Sequence, residues 1–384
     1  MDMQPVEPPR GRAPQLGPTH GRGHRLAVTR FLFVGYFGYG NLGDEAVLEA
    51  LVGRLRERAP EAQVAVVSSD PDATSERLGV EAVPRSPLVG VLRAVTSADV
   101  FVMGPGGVLQ DATSARSILY YSGLSEAARQ AGKRVCLVGN GLGPLRTKLG
   151  RLATARVVRG ASCLAVRDTE SARLARELGA RVEPEVTADA ALMLRPDVDA
   201  AARLVSHLGL EGETNVVGVS LRLWRGSATA PQWAETLASV RKTLGCRFLW
   251  LPCGGEEDER LLLEVARLMG GDDPFWHPPL APRVFLGLCH HLRGLVGMRL
   301  HSLIFATSAS RPVAGIAYDP KVSYFLSQLG VEPAIELSRE PVAPRLWADR
   351  VCRALERDPE SYATQIAQMQ GRSDRNCELL LQYV

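Results

Sequence analysis

The chain has no long apolar run, no excess of either charge and no paired-cysteine motif, and each absence narrows what it can be. No segment reaches the roughly 18 consecutive apolar residues of a membrane-crossing helix, and the N-terminus lacks the apolar stretch of a signal peptide. Lys and Arg number 45 against 42 Asp and Glu, a balance that leaves no electrostatic footprint for nucleic acid. The seven cysteines are odd in number and contain no C-x-x-C spacing. Neither a disulfide framework nor a structural zinc site is therefore expected, and a cytoplasmic setting fits. No G-x-x-x-x-G-K-[ST] stretch is present either, which sets a P-loop site aside.

What is present is enough apolar sequence, 46% of 384 residues, for two domains that each bury a core. Residues 1–28 are rich in Pro, Gly, Arg and His and read as a disordered leader. After them, short β-rich apolar runs alternate with longer amphipathic ones, the pattern of a parallel sheet covered by helices. The runs Phe31–Val34, Val64–Val67, Val100–Met103, Val135–Val138 and Leu164–Val166 predict strands of one doubly wound domain over 29–195. A second series, Val216–Ser220, Phe248–Leu251, Leu295–Gly297 and Val313–Ile316, predicts another over 196–343, followed by a helical tail over 344–384. The fold class is α/β: two Rossmann-like domains facing a cleft, similar to the GT-B architecture, in which a terminal helix often crosses back to the first domain.

Ligands of open α/β sheets bind at the carboxyl ends of the strands. Here those ends are marked by the glycine-rich segments Gly38–Glu45, Gly104–Gly107 and Gly139–Pro144, so Gly40, Asn41, Asp44, Gly106 and Gly107 are candidates to line the cleft. The first segment satisfies G-x-G-x-x-G, but Asp44 and Glu45 would place carboxylates where a pyrophosphate needs neutral backbone donors. Asp44 reads more simply as the helix cap and Asn41 as the residue holding the turn.

The second constellation is Gly297-Met298-Arg299-Leu300-His301-Ser302, which runs from an apolar strand into an apolar helix. It places Arg299 and His301 where core packing explains them poorly; a hydrogen-bonded structural histidine is the plainer alternative. Tyr318-Asp319-Pro320-Lys321 adds a cation at the next strand end, and Arg146 adds one from the first domain. Two guanidinium groups, an ammonium and an imidazole suit a small, multiply charged anion.

Gly35–Ala46, Gly104–Gly107, Arg167-Asp168 with Ser171, Ala188-Asp189, Met298–His301 and Tyr318–Lys321, in that order, resemble the polysaccharide pyruvyl transferase family over about Phe31 to Leu329. The resemblance implies transfer of the pyruvyl group of phosphoenolpyruvate to sugar hydroxyls as a ketal. It implies phosphoenolpyruvate binding by Arg146, Arg299 and Lys321 and proton transfer by His301, and leaves open whether His301 gives or takes the proton. Asp189, within the resemblance, joins the cleft-lining candidates. Bacterial members pyruvylate lipid-linked cell-wall precursors, with 4,6-ketals on N-acetylmannosamine that help anchor surface-layer proteins. That setting implies a lipid-linked saccharide acceptor and peripheral contact at the inner face of the membrane. Phosphoenolpyruvate is a co-substrate there, and neither a cofactor nor a metal is expected.

Two rival readings remain: a GT-B glycosyltransferase using a nucleotide-sugar, and a catalytically silent sugar-binding module. Cys289-His290-His291 looks like a metal-ligand cluster, but side chains of consecutive residues diverge. The run Glu256-Glu257-Asp258-Glu259 reads as a solvated helix start. Cys253, at a strand end, reads as a buried inert thiol. The loops 111–115 and 223–230 carry no readable acceptor code.

Overall fold

The computed structural model describes residues 28–111, 115–224, 228–277, 280–339 and 341–384, without the side chain of Ala115. The expected leader up to residue 27 and parts of the two acceptor-loop segments therefore lie outside the described residues. Among the described residues, no helix is long and apolar enough to cross a membrane.

Two parallel sheets organise the chain. The first contains β1 (Arg30–Val34), β2 (Gln63–Ser68), β3 (Glu81–Pro84), β4 (Val100–Met103), β5 (Gly106–Leu109), β6 (Arg134–Leu142), β7 (Cys163–Val166) and β8 (Glu185–Val186). Their order is β3-β2-β1-β4-β6-β7-β8, with β5 also paired to β6. The second contains β9 (Val216–Ser220), β10 (Arg247–Trp250), β11 (Gly294–Gly297), β12 (Val313–Ala317) and β13 (Ile335–Glu336), ordered β10-β9-β11-β12-β13. The central strands are continuous apolar runs because helices cover both of their faces. β4 and β9 are buried at every residue.

In each sheet the strand order reverses at one point, and that is where a crevice opens. In the first sheet the reversal lies between β1 and β4, which pair in parallel from Phe31 opposite Val100 to Val34 opposite Met103. In the second it lies between β9 and β11, where Ser220 faces Gly297. The segments leaving these four strands are the Gly35–Asp44 turn, Gly104–Gly107, Leu221–Trp224 and Met298–His301. The fold therefore directs the sequence motifs of both halves to two crevices.

The expectation that each half buries its own core needs revision. The outer face of the first sheet has a separate core, in which Leu32, Val34, Phe101 and Leu137 pack under Val91, Val95, Ile118 and Val158. Its inner face, with helix Leu42–Arg58, belongs to one apolar cluster that continues through the whole second half. The C-terminal helix Ala363–Leu381 strengthens this union by returning to the first sheet. Its Asn376 Nδ2 donates to Ala188 O at 3.0 Å, its Ser373 Oγ to Asp189 O at 2.8 Å, and its Arg375 pairs with Glu185 at 2.6 Å.

Candidate active site

The glycine-rich turn after β1 is built differently from the reading of its sequence. The helix it starts runs Leu42–Arg58, and its cap is Asn41, whose Oδ1 accepts from Gly43 N at 3.1 Å. Asp44 is thus not the cap; it is the third residue of the helix. The neighbouring acid, Glu45, is buried and closes the turn by accepting from Gly38 N at 2.7 Å, with Arg77 as its counter-ion. Asp44 is left facing the cleft, so close to Gly106 that a Cβ there would lie 2.9 Å from Asp44 Oδ1. Gly40 and Gly107 are exposed on the rim.

The expected turn Gly139–Pro144 is largely strand, since β6 continues to Leu142. Inside it, Asn140 Nδ2 donates to Gly104 O at 2.7 Å, tying the ends of β4 and β6 together. Gly141 makes room for the Arg167 guanidinium, which reaches Asp189 Oδ2 at 3.5 Å and Asp168 Oδ2 at 3.6 Å. The resemblance includes Arg167 but assigns it no role. Its signal, a cation at a strand end, is the one that singled out Arg299.

His301 comes to this cluster from the other half. It is the second residue of helix Leu300–Ser308, and its Nε2 lies 3.6 Å from Asp189 Oδ1, an ion-pair distance rather than a hydrogen bond. Nε2 is buried and, among the described residues, has no hydrogen-bond partner. The opposite ring edge lies over the first turn of helix Leu42–Arg58, where a Cβ on Gly43 would fall 1.9 Å from His301 Nδ1. Only glycine at 43 lets the imidazole sit between Asp189 and the Asn41–Asp44 turn.

The two carboxylates beside this imidazole are driven apart. Asp44 is pushed up to about 6, chiefly by burial and further by Glu45, against the opposing charges of His301, Lys321 and Arg167. Asp189 experiences an even stronger burial penalty than any single counter-effect, yet His301, Arg167 and the Ala191 N–H together hold it down at about 2. One site thus contains a carboxyl that exchanges its proton near neutral pH and another that stays ionised.

The cations assigned by sequence fare unequally. Lys321 is the second residue of helix Pro320–Gln328, where Asp319 Oδ1 accepts its backbone N–H at 3.0 Å, and it lines a small pocket with Arg167, Asp168, Asp189 and Tyr324. Arg299 is already engaged. Its Nε donates to Asp258 Oδ2 at 2.7 Å and its Nη2 to Asp258 Oδ1 at 2.9 Å, in a two-bond fork on a carboxylate that is 1% exposed. Gly254 accommodates the guanidinium, as a Cβ there would lie 1.8 Å from Arg299 Nη2. Asp258 is consequently no part of a solvated acidic helix start, because burial beside Arg299 takes it out of water. Arg146 is exposed and is held through its backbone N–H, which donates to Asp111 Oδ1 at 2.6 Å. Its side chain takes no part in the His301–Asp189–Arg167 contacts.

Arg222, which carries no signal in the sequence, and Trp224, from the 223–230 loop, follow β9. Arg222 Nη1 donates to Tyr318 Oη at 2.9 Å, and Trp224 packs on the Tyr318 ring at 4.9 Å. Cys253 is buried, takes a hydrogen bond from Ser220 Oγ at 3.1 Å, and has its thiol pushed up to about 12, chiefly by burial. Cys289 is buried at a helix end while His290 and His291 are exposed beyond it. Among the described residues, no three His, Cys, Asp or Glu side chains gather as a metal site would require.

Two doubly wound halves whose crevices share one Asp–His–Asp cluster define a GT-B-like scaffold. Solved structures share this fold. HepE from Anabaena, in complex with UDP-glucose, is 16% identical with TM-score 0.59, over 92% of this chain and 96% of that one. The UDP-GlcNAc 2-epimerase of Methanocaldococcus jannaschii is 10% identical with TM-score 0.68, over 93% and 100%. That of Neisseria meningitidis, bound to UDP-GlcNAc, is 13% identical with TM-score 0.59, over 92% and 100%. No curated protein matches in sequence. The chain belongs to the polysaccharide pyruvyl transferase family, whose profile matches residues 41–248 and 272–320. It is accordingly a transferase that acts on polysaccharide.

Proposed function

We propose that the chain transfers the pyruvyl group of phosphoenolpyruvate to two hydroxyls of a lipid-linked saccharide, forming a pyruvate ketal on a cell-wall or surface polysaccharide precursor. In that reaction C3 of the donor takes up a proton and becomes a methyl group, and one sugar oxygen bonds to C2. The bond from C2 to the phosphate oxygen breaks, phosphate leaves with the electron pair, and the second sugar oxygen bonds to the same carbon. Of the two hydroxyl protons released, one balances the proton gained at C3 and the other departs with phosphate.

The observation that carries this reading is the pair of oppositely shifted carboxyls flanking one imidazole. Asp189 stays ionised beside His301 Nε2 and orients the ring, leaving Nδ1, on the side of Gly43 and Asp44, to take the hydroxyl proton. Asp44 is the group suited to protonate C3. Lys321 and Arg167 provide positive charge for the donor's carboxylate and phosphate, and Arg146 would join them as the halves close. Arg299 acts as a positioning residue: it stands at the cap of the helix that carries His301, and Asp258 fixes it there. A nucleotide-sugar reading has the shared fold behind it, but no residue of this cluster favours it.

Ligand stabilisation separates the readings. Phosphoenolpyruvate at a hundred times its dissociation constant should stabilise the protein by about 2.7 kcal/mol, with no response to UDP-glucose or NAD. A response to UDP-glucose alone would replace the proposal with glycosyl transfer, and no response to any of them would leave a silent module. Lys321→Ala should weaken phosphoenolpyruvate binding by roughly 2–5 kcal/mol in titration calorimetry. Wild-type affinity would remove Lys321 from the donor site.

Asp44 allows a test that does not depend on activity. A carboxyl whose folded value is raised from 3.8 to about 6 favours the native state at low pH, and that contribution is lost as pH rises through 6. Asp44→Asn removes the titration, so the variant should gain stability over wild type between pH 4 and pH 7, by at most about 3 kcal/mol. Denaturant midpoints measured across this range check it; parallel curves for the two proteins would contradict the placement of Asp44.

A further inference from the structure

We propose that the outer helical layer of the first half docks on an anionic bilayer surface beside the cleft. The docking itself requires no substrate; its use, to present the cleft to a lipid-carried acceptor, rests on the reading above. Four helices cover this face, Thr169–Glu177 among them, and three neighbours carry the patch: Leu88–Ser97, Ala115–Gln130 and Lys148–Gly160, the first packed on the second and the second on the third. Each follows a strand of the parallel sheet, so their N-terminal ends lie along the edge that carries the site.

Those ends present apolar side chains to solvent. Leu88, Val89, Leu92, Leu119, Leu149 and Leu152 are each between 38% and 58% exposed, and all fall in the first two turns of their helices. The inward positions of the same turns, Val91, Ala94, Ile118 and Ala153, are buried, so the core does not need the outward ones. Exposed Arg93, Arg116, Lys148 and Arg151 stand among them, and the first two turns of the three helices contain no Asp or Glu. Cations in the first turn oppose the helix dipole, so Arg116, Lys148 and Arg151 are not there to stabilise their helices. The nearby Asp111 carboxylate is engaged by the N–H groups of Arg146 and Thr147 and by the Thr147 hydroxyl.

Leucine and basic residues without acidic ones are the combination that binds the headgroup region of an anionic membrane. The same charge pattern disfavours a second copy as occupant, because a two-fold contact would set these cations against themselves. An aromatic ledge links the patch to the cleft. Arg85, just before the first helix, lies 3.9 Å from the Tyr120 ring centroid and 6.0 Å from that of Tyr39, and Tyr39 stacks on Tyr36 at 4.2 Å. Tyr36 in turn is raised by burial, by Tyr39 and by the charge of Asp44. Tyrosines of this kind are enriched where protein meets the membrane interface.

Cosedimentation of the full chain with vesicles tests the assignment. The protein should bind vesicles of phosphatidylcholine mixed with phosphatidylglycerol at low salt, lose binding as salt rises, and ignore phosphatidylcholine alone. Leu149→Glu/Leu152→Glu and, separately, Arg116→Glu/Lys148→Glu should each lower binding by about tenfold or more. Both pairs should retain the wild-type melting temperature, since all four side chains are exposed. His301→Gln should bind vesicles like wild type, which separates failure of docking from failure of the catalytic reading. Absence of binding to the anionic vesicles would overturn the proposal. So would undiminished binding by the Leu149→Glu/Leu152→Glu protein, or a solution dimer that this variant abolishes.

Discussion

Replacing His301 with Gln should reduce turnover by about 10²–10⁴ while leaving folding and donor binding largely intact. Glutamine keeps a polar group of similar reach between Asp189 and Gly43 but cannot exchange a proton near neutral pH. The geometry makes a purely structural role the poorer alternative, because among the described residues Nε2 is buried without a hydrogen-bond partner and stands 3.6 Å from the nearest Asp189 oxygen. A histidine kept for stability would be expected to satisfy that atom. The two roles give opposite results on two measurements. A structural histidine would show a lower melting temperature and a nearly unchanged rate per folded molecule; the proton-transfer role predicts the reverse.

Arg299→Ala should cost about 3–5 kcal/mol of stability, because it strips the counter-ion from an Asp258 side chain that is 1% exposed. From sequence alone the expected result is different, a folded protein with weakened donor binding. Asp258→Ala should be comparably damaging, and Arg299→Lys should recover little, since one ammonium cannot reproduce two bonds to one carboxylate. Removing both charges together, as Arg299→Met/Asp258→Leu, should regain much of the loss. In that double variant any remaining defect should fall on kcat more than on KM, as the helix start bearing His301 loses its anchor. Urea midpoints for the four proteins check the stability order. An Arg299→Ala protein with the wild-type midpoint and a raised KM alone would return Arg299 to the donor site.

How far the sequence carries depends on whether the relevant physics is local. β4 and β9 coincide with their predicted bounds because a strand covered on both faces is a continuous apolar run with sharp ends. β3, β8 and β13 escaped notice: they are short, lie at sheet edges and are only partly buried, so their apolar signal is weak. β5 begins inside the Gly104–Gly107 segment, where glycine reads as a turn. His301, Lys321, Asp44 and Asp189 are all visible as polar residues at strand ends, and the structure brings all four together. The state of Arg299 could not be read, since its partner lies 41 residues away in a run of acids that resembles any exposed helix start. The division of Asp44 and Asp189 into one proton-exchanging and one ionised carboxyl was equally out of reach, because it arises from burial and from charges contributed by both halves.

We propose that this cluster makes a ketal from phosphoenolpyruvate, and that proposal stands or falls on the product. The most direct measurement follows C2-labelled phosphoenolpyruvate by carbon NMR in the presence of the protein and a soluble N-acetylmannosaminide with free 4- and 6-hydroxyls. The vinyl carbon signal should be replaced by that of a ketal carbon, with one phosphate released per ketal, and His301→Gln should slow this conversion by about 10²–10⁴. Phosphate release without a ketal signal, or ketal formation at the wild-type rate by His301→Gln, would contradict it.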